Sequence, residues 1–280
     1  MAGWGRFPLV VAEALKREGK QVFCIALHGH ADPALRDICD EYYPCAVARL
    51  GSQIRFFRRH GVSQATLAGK LFKHKLLFGR FGWLGLIPDF RTICSVVVPF
   101  FITRRKNNND DSLLGVVVEE FARDGITLAP ATDFAPELLV KPGPLTRRQP
   151  TASQRQDIQF GWRLAKELGR LDIGQSVIVN ARAVIAVEAI EGTDECIRRA
   201  GQLCPLGGFT LVKVAKPQQD MRFDVPTIGL GTVEALIAAK GSVLAIEAGK
   251  TIIIDQRQVV ELADRHGLVI VAWEGEPARE

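Results

Sequence analysis

A chain of 280 residues is long enough for one or two domains with sizeable cores. With 47% hydrophobic and 24% charged residues, its composition is ordinary for a soluble globular protein. A net charge of +5 and a pI near 9.0 suit a phosphate-bearing ligand or an anionic membrane surface; no basic tail or nucleic-acid signature accompanies them, so nucleic acid is not an expected partner. The cysteines at 24, 39, 45, 94, 196 and 204 form no C-x-x-C and no metal-ligand spacing, which fits a reducing compartment better than a disulfide framework. Nothing resembles a signal peptide, and the longest apolar run, 92–102, is shorter than the roughly 20 residues that span a bilayer. The expectation is a cytoplasmic protein that touches a membrane, if at all, at its surface.

The chain opens A-G-W-G-R-F-P (2–8). Apolar Leu9, Val10, Ala12, Ala14 and Leu15 then predict a helix over 8–18, and Gly19 leads into a strand over 21–27. A glycine turn, a helix and a strand make the phosphate-side turn of a Rossmann-like unit. A strand should precede Gly3, and only Met1 and Ala2 stand there. Either the chain starts past its first strand or the unit is incomplete; the first is the expectation. Ser52–His60 reads as a helix, Gln64–Ala68 as a short strand, Asp111–Asp124 as a helix and Gly125–Ala129 as a strand, while 95–102 mixes both signals. This is an α/β pattern with parallel strands. Pro130, Pro136, Pro142, Gly143, Pro144 and Pro150 mark an interdomain linker. The expected division is a Rossmann-like N-terminal domain over 1–132, a linker over 133–150, and a distinct mixed α/β C-terminal catalytic domain over 151–280. In the latter, Ser153 is the expected N-cap of a helix to about Leu168. Two hairpin-like units follow, 176–190 and 242–255, the second turning at Ala248-Gly249-Lys250. A helix, Gln256–His266, and a strand, Leu268–Trp273, complete the pattern.

Candidate chemistry concentrates in two acidic strings, VEAIEGTDE (187–195) and KPQQDMRFDVPTIG (216–229). Carboxylates at strand ends beside turns are where metal–phosphate chemistry is built. Glu188 ends a strand-like run, Glu191 precedes a Gly-Thr turn, and Thr193 and Asp194 either cap the next helix or face a site. In the second string, Asp220, Arg222 and Asp224 alternate with apolar residues, so an extended backbone puts all three on one face. They form either an ion-pair ladder or a site in which acids hold Mg²⁺ and basic groups, with Lys213 and Lys216 close by, neutralise a phosphate. The turn Gly3-x-Gly5 is either a structural turn or a phosphate contact through backbone N–H groups. Pro8 stands in place of a third glycine and no ribose-binding acid follows the strand, which disfavours an NAD-dependent oxidoreductase. The basic and aromatic segment 70–83 is either a core-facing helix with a solvated basic face or a membrane- or acyl-contacting one. His74 within it reads as a surface residue, and Asp110 and Asp111 as an N-terminal cap.

Several strings carry a family resemblance: A-G-x-G-x-F-P (2–8), Gly69-Lys70, N-D-D-S-L-L (109–114), T-D-F (132–134), L-D-I-G-Q-S-V (171–177), V-E-A-I-E-G-T-D (187–194) and K-P-x-Q-D-x-R-F-D-V-P (216–226). Over nearly its whole length the chain resembles the UDP-2,3-diacylglucosamine pyrophosphatases of lipid A biosynthesis that are unrelated to calcineurin-like phosphoesterases. The resemblance implies a Rossmann-like N-terminal domain joined by a linker to a distinct C-terminal domain. It implies Mg²⁺-dependent hydrolysis of UDP-2,3-diacylglucosamine to UMP and 2,3-diacylglucosamine 1-phosphate, with water attacking the sugar-side phosphorus. The family's essential aspartate falls on Asp224. On this reading Asp224 is the catalytic residue, and Asp224, Asp220, Glu188, Glu191 and Asp194 are the metal ligands. Gly3, Gly5, Lys213, Lys216, Arg222 and Thr193 bind substrate. The implied partners are a lipid-linked UDP-sugar and, transiently, the inner membrane surface; a homodimer is the default, though no residue argues for it. The rival class is a nucleotide-sugar or lipid-phosphate binding protein without turnover, and metal-dependent release of UMP separates the two.

Overall fold

The computed structural model describes residues 1–70, 87–102, 110–222 and 225–275. They group into two compact units, Met1–Ala135 with Met221 and Arg222, and Pro136–Asp220 with the residues from Val225 onward. The chain thus passes from one unit to the other between Ala135 and Pro136. Segment 71–86, which holds most of the basic and aromatic stretch 70–83 and His74, lies outside the described residues, as do Phe223 and Asp224.

In the first unit, α1 (Phe7–Arg17) starts with Pro8 in its first turn, where a missing N–H costs nothing. Next come β1 (Phe23–Leu27), α2 (Leu35–Ile38), β2 (Glu41–Cys45), α3 (Leu50–Arg59) and β3 (Gln64–Ala65). The run Phe90–Ile102 is helical: a single α-turn, α4 (Phe90–Thr92), widens into a π-helix over Ile93–Ile102 with Pro99 inside it. Then follow α5 (Asp110–Arg123), β4 (Thr127–Leu128) and α6 (Ala131–Phe134). β1 pairs in parallel with β2, and β3 with β4. Between the pairs lies the start of the chain: Ala2 donates to Ile25 O and accepts from Leu27 N, while Gly3 donates to Ala68 O and Met1 O accepts from Ala68 N. Met1–Gly3 therefore bridge the two parallel strand pairs. Along β1, Cys24 and Ala26 face the α1–α2 side and Ile25 and Leu27 the α3–α5 side, so the sheet is covered on both faces.

The second unit is built on one six-stranded sheet. Its elements are β5 (Gly143–Pro144), α7 (Ala152–Arg170), β6 (Ser176–Asn180), β7 (Ala183–Val187), α8 (Thr193–Leu203), β8 (Thr210–Lys213), β9 (Thr227–Ile228), α9 (Leu230–Ala238), β10 (Val243–Glu247), β11 (Ile252–Ile253), α10 (Gln256–His266) and β12 (Val269–Trp273). The strand order is β5-β12-β10-β8-β6-β7. β8, β10 and β12 are mutually parallel; β6 runs against β8, and β7 against β6. Register decides the faces. Ile178, Leu211, Leu244, Ile246 and Ile270 pack under α8, α9 and α10, whereas Val177, Val212, Val243, Ala245 and Val271 pack under α7. Each of the Val, Leu and Ile side chains among these contributes about 1.5–3 kcal/mol when fully buried. Gly161 lets α7 lie close, since a Cβ there would meet Val212 Cγ2 at 2.8 Å.

The first hairpin forms as expected: β6 and β7 turn at Ala181-Arg182, both with positive φ, and the buried Asp157 carboxylate accepts both turn N–H groups. The second does not. β10 is sandwiched between β8 and β12 and has no free edge for a hairpin partner; the turn at 248–250 instead sends β11 to a separate parallel pairing with β9. Buried parallel strands and hairpin strands share the same apolar signal, hence the error. Within the proline-rich stretch 133–150, Val140 is buried and Gly143–Pro144 forms the sheet's edge strand, a place where proline is tolerated.

Helix α7 also starts elsewhere than at Ser153. Thr151 is the N-cap, and with Gln154 it forms a reciprocal capping box. Thr151→Ala is expected to lower stability by about 1 kcal/mol, whereas Ser153→Ala stays within about 0.5 kcal/mol of the parent. Urea unfolding midpoints of the two variants check this.

Candidate active site

The apolar strands of the second unit leave their polar residues at one edge. β7 runs in the same direction as β8, so the last residues of β7, β8, β10 and β12 and the first of β6 lie along the same sheet edge. In open α/β sheets this carboxyl edge is where ligands bind. Glu188 follows β7, Ser176 starts β6 and Lys213 ends β8; Ser176 pairs in register with Lys213, and its carbonyl accepts from Glu188 N–H. All three sit in one row across the sheet and point to the α8 face.

Glu188 and Lys213 are each only 7% exposed. The Thr193 hydroxyl joins them: it donates to Glu188 Oε1 at 2.8 Å and accepts from Lys213 Nζ at 3.1 Å. Lys213 Nζ also reaches the Thr227 carbonyl at 3.4 Å. Thr193 is the first residue of α8, whose N-cap, Gly192, has φ 83° and supplies no side-chain cap. Of the two readings left open for Thr193 and Asp194, capping by their side chains is not what forms: Thr193 bonds Glu188 and Lys213, and Asp194 accepts from the Thr232 hydroxyl at 3.0 Å, tying α8 to α9. Glu188 Oε2 is buried with no hydrogen-bond partner among the described residues, as are Ser176 Oγ and Gln175 Oε1. An orphaned buried carboxylate oxygen costs free energy unless a cation or donor arrives.

The other named residues are placed differently. Glu191 accepts from Arg199 at 2.6 Å and from Ala189 N–H. Its own backbone N–H, then the Arg199 guanidinium and Ala189 N–H, hold its carboxyl below the usual carboxylate range. Lys216 is paired with Asp172 at 2.5 Å. Asp220 groups with the second unit and Arg222 with the first. Asp224 lies outside the described residues. Among the described residues, no group of three or more His, Cys, Asp or Glu side chains is placed to hold a metal ion. The atom that fits a hard divalent cation is Glu188 Oε2; Glu191 and Asp194 are committed to other partners.

The glycine turn has a structural role at Gly3. Its N–H donates to Ala68 O, that of Trp4 to Lys70 O, and a Cβ on Gly3 would meet Lys70 O at 2.8 Å. Gly3 is there so that two backbones can approach, and its N–H is not available to a phosphate. Gly5, with φ 102°, faces open space.

Two residues at this edge escaped the sequence reading. Lys166 on α7 donates to Glu247 Oε2 at 2.6 Å and to Ala215 O at 2.9 Å, and Glu247 accepts from Ala215 N–H at 2.7 Å. Burial pushes the Lys166 ammonium below its ordinary range against the pull of Glu247. A charged residue ending the apolar strand V-L-A-I-E was the available signal for Glu247; Lys166 gave none.

Gly174 sets the row's position, because a Cβ there would fall 2.0 Å from Glu188 O. Gly174→Ala is expected to displace Glu188 and lower stability by at least about 1–3 kcal/mol, as overpacking does. A thermal unfolding midpoint several degrees below the parent's, read by circular dichroism, is the outcome to look for.

Residues 1–138 match the LpxI N-terminal domain, and residues 141–271 match the LpxI C-terminal domain. The chain is 31% identical over 283 residues to the UDP-2,3-diacylglucosamine pyrophosphatase LpxI of Caulobacter vibrioides, an alignment covering 97% of this chain and 95% of that protein. With both domain families matched in order and together spanning nearly its full length, the chain belongs to the LpxI family.

Proposed function

We propose that this protein hydrolyses the pyrophosphate of UDP-2,3-diacylglucosamine, releasing UMP and 2,3-diacylglucosamine 1-phosphate by attack of water on the sugar-side phosphorus. The observation that carries this reading is the Glu188–Thr193–Lys213 chain at the carboxyl edge of the sheet. It stands in a chain whose relative bears that substrate and activity in its name.

Cleaving a phosphoric anhydride builds negative charge on the phosphoryl and leaving-group oxygens, so a fixed positive charge lowers the barrier. Lys213 supplies it. Its ammonium is withdrawn from water and held by the Thr193 hydroxyl and the Thr227 carbonyl, where a lower dielectric makes it count for more than an exposed lysine. Glu188 accepts the Thr193 hydroxyl hydrogen bond, so Thr193 turns a lone pair toward Lys213 and keeps the ammonium aimed. Asp224 takes the proton of the attacking water, or it and Asp220 would help to hold a metal ion. Arg222 and Lys216 meet the substrate's phosphates. Glu188 and Asp224 would hold Mg²⁺, which when bound supplies Lewis-acid neutralisation of the pyrophosphate oxygens. Among the described residues no helix is long and apolar enough to cross a membrane. We place the encounter with the lipid at the inner membrane surface, by a protein that associates there transiently.

A ³¹P assay with UDP-2,3-diacylglucosamine tests the reading. UMP is expected only with Mg²⁺ present and not with EDTA. Lys213→Met and Asp224→Asn are expected to lower kcat by about 10²–10³-fold, the usual effect of removing one charge-stabilising group. Tight binding of the substrate by a folded wild-type protein that releases no UMP would make this a binding protein instead.

A further inference from the structure

We infer that Lys166 and Glu247 are positioning residues for the reaction: they clasp Ala215 and thereby fix where the segment 216–222 leaves the sheet. The inference rests on the hydrolase reading above. Ala215 immediately follows the end of β8 and Val214, and both of its backbone polar groups are gripped. Its N–H donates to Glu247 Oε2, its carbonyl accepts from Lys166 Nζ, and Lys166 and Glu247 bond to each other at 2.6 Å. Glu247 ends the neighbouring strand β10 and is 7% exposed; Lys250 approaches its other oxygen at 3.2 Å. Lys166 Nζ also lies 5.4 Å from the Trp162 ring centroid.

The grip continues along the string. Gln218 donates to Gly169 O at 2.8 Å, Lys216 N–H donates to Gln219 Oε1, and Lys216 Nζ pairs with Asp172. Gly169 is needed for this fit, since a Cβ there would come within 3.2 Å of Lys216 Cα and Pro217 Cδ. At its far end the string is held again: Pro226 O accepts from Ile252 N–H, and Thr227 O accepts from Lys213. Asp220 therefore lies on a segment whose start is pinned, and that pin is an ion pair on the α7 face, opposite the face that carries Glu188 and Lys213. Lys166 and Glu247 lie on the other face of the sheet from Glu188 and Lys213. Their effect on turnover passes through the string.

The test uses the full chain with K166M, E247Q, the double variant K166M/E247Q and the conservative E247D. Three readouts are needed: kcat and KM for UMP release, the thermal midpoint, and amide hydrogen exchange over residues 216–222. Expected are a kcat lower by about tenfold per folded molecule with KM within about twofold, and faster exchange over 216–222 with the rest of the second unit unchanged. E247D recovers part of the loss. The double variant leaves no lone buried charge, so it tests the idea even where a single variant fails to fold. A lower thermal midpoint with kcat per folded molecule unchanged makes the clasp merely structural and overturns the inference, as does unchanged exchange over 216–222 in the double variant. A wild type that releases no UMP sinks the hydrolase reading instead, and the exchange readout then decides the clasp by itself.

Discussion

Everything distinctive about the second unit follows from the burial of its central parallel strands on both faces. β8, β10 and β12 are covered by α7 on one side and by α8, α9 and α10 on the other, so side chains of both parities must be apolar. A polar group in the middle of such a strand would need a partner that the packing does not supply. The polar residues are therefore pushed to the strand ends, and the parallel direction gathers them along one edge. Lys213, Glu247 and, by way of the β6–β7 hairpin, Glu188 are the result.

That edge carries two separate polar assemblies, one per face. Residues in odd and even register diverge across the sheet. Glu188, Ser176 and Lys213 point under α8, while Glu247 points under α7 and meets Lys166. The two assemblies differ in a telling way. Both Glu247 oxygens are engaged, as a structural ion pair requires. Among the described residues, Glu188 keeps one oxygen buried and unmatched, and Ser176 Oγ in the same row is unmatched too. A complete network holds the fold. An incomplete one, aligned with a buried ammonium and the first turn of a helix, is where an incoming ligand gains most.

The first unit meets a different constraint at the glycine turn. Gly3 and Gly69 face each other so closely that neither tolerates a Cβ. The close approach lets Met1–Gly3 exchange hydrogen bonds with β1 on one side and with Ala68 on the other, bridging the two strand pairs. The glycines that looked like a phosphate cradle divide their roles. Gly3 is consumed by packing, and Gly5 keeps an open left-handed turn before α1.

The sequence by itself determined the α/β class, the β6–β7 hairpin, the helix ending at His266 and the two acidic strings. Those features are local: periodicity, turn residues and short motifs suffice to specify them. It did not determine that β10 is a central strand rather than half of a hairpin, because apolar runs of that length look alike until their neighbours are known. Nor did it reveal that Glu191 and Asp194 serve Arg199 and Thr232 while Glu188 keeps a bare oxygen, since a carboxylate's role depends on which donors reach it. Lys166 and Glu247 are far apart in the chain and carry no shared motif. Only the tertiary structure, by laying α7 across the ends of β8 and β10, brought them together on Ala215, because a clasp made of long-range contacts exists only once the sheet has set its register.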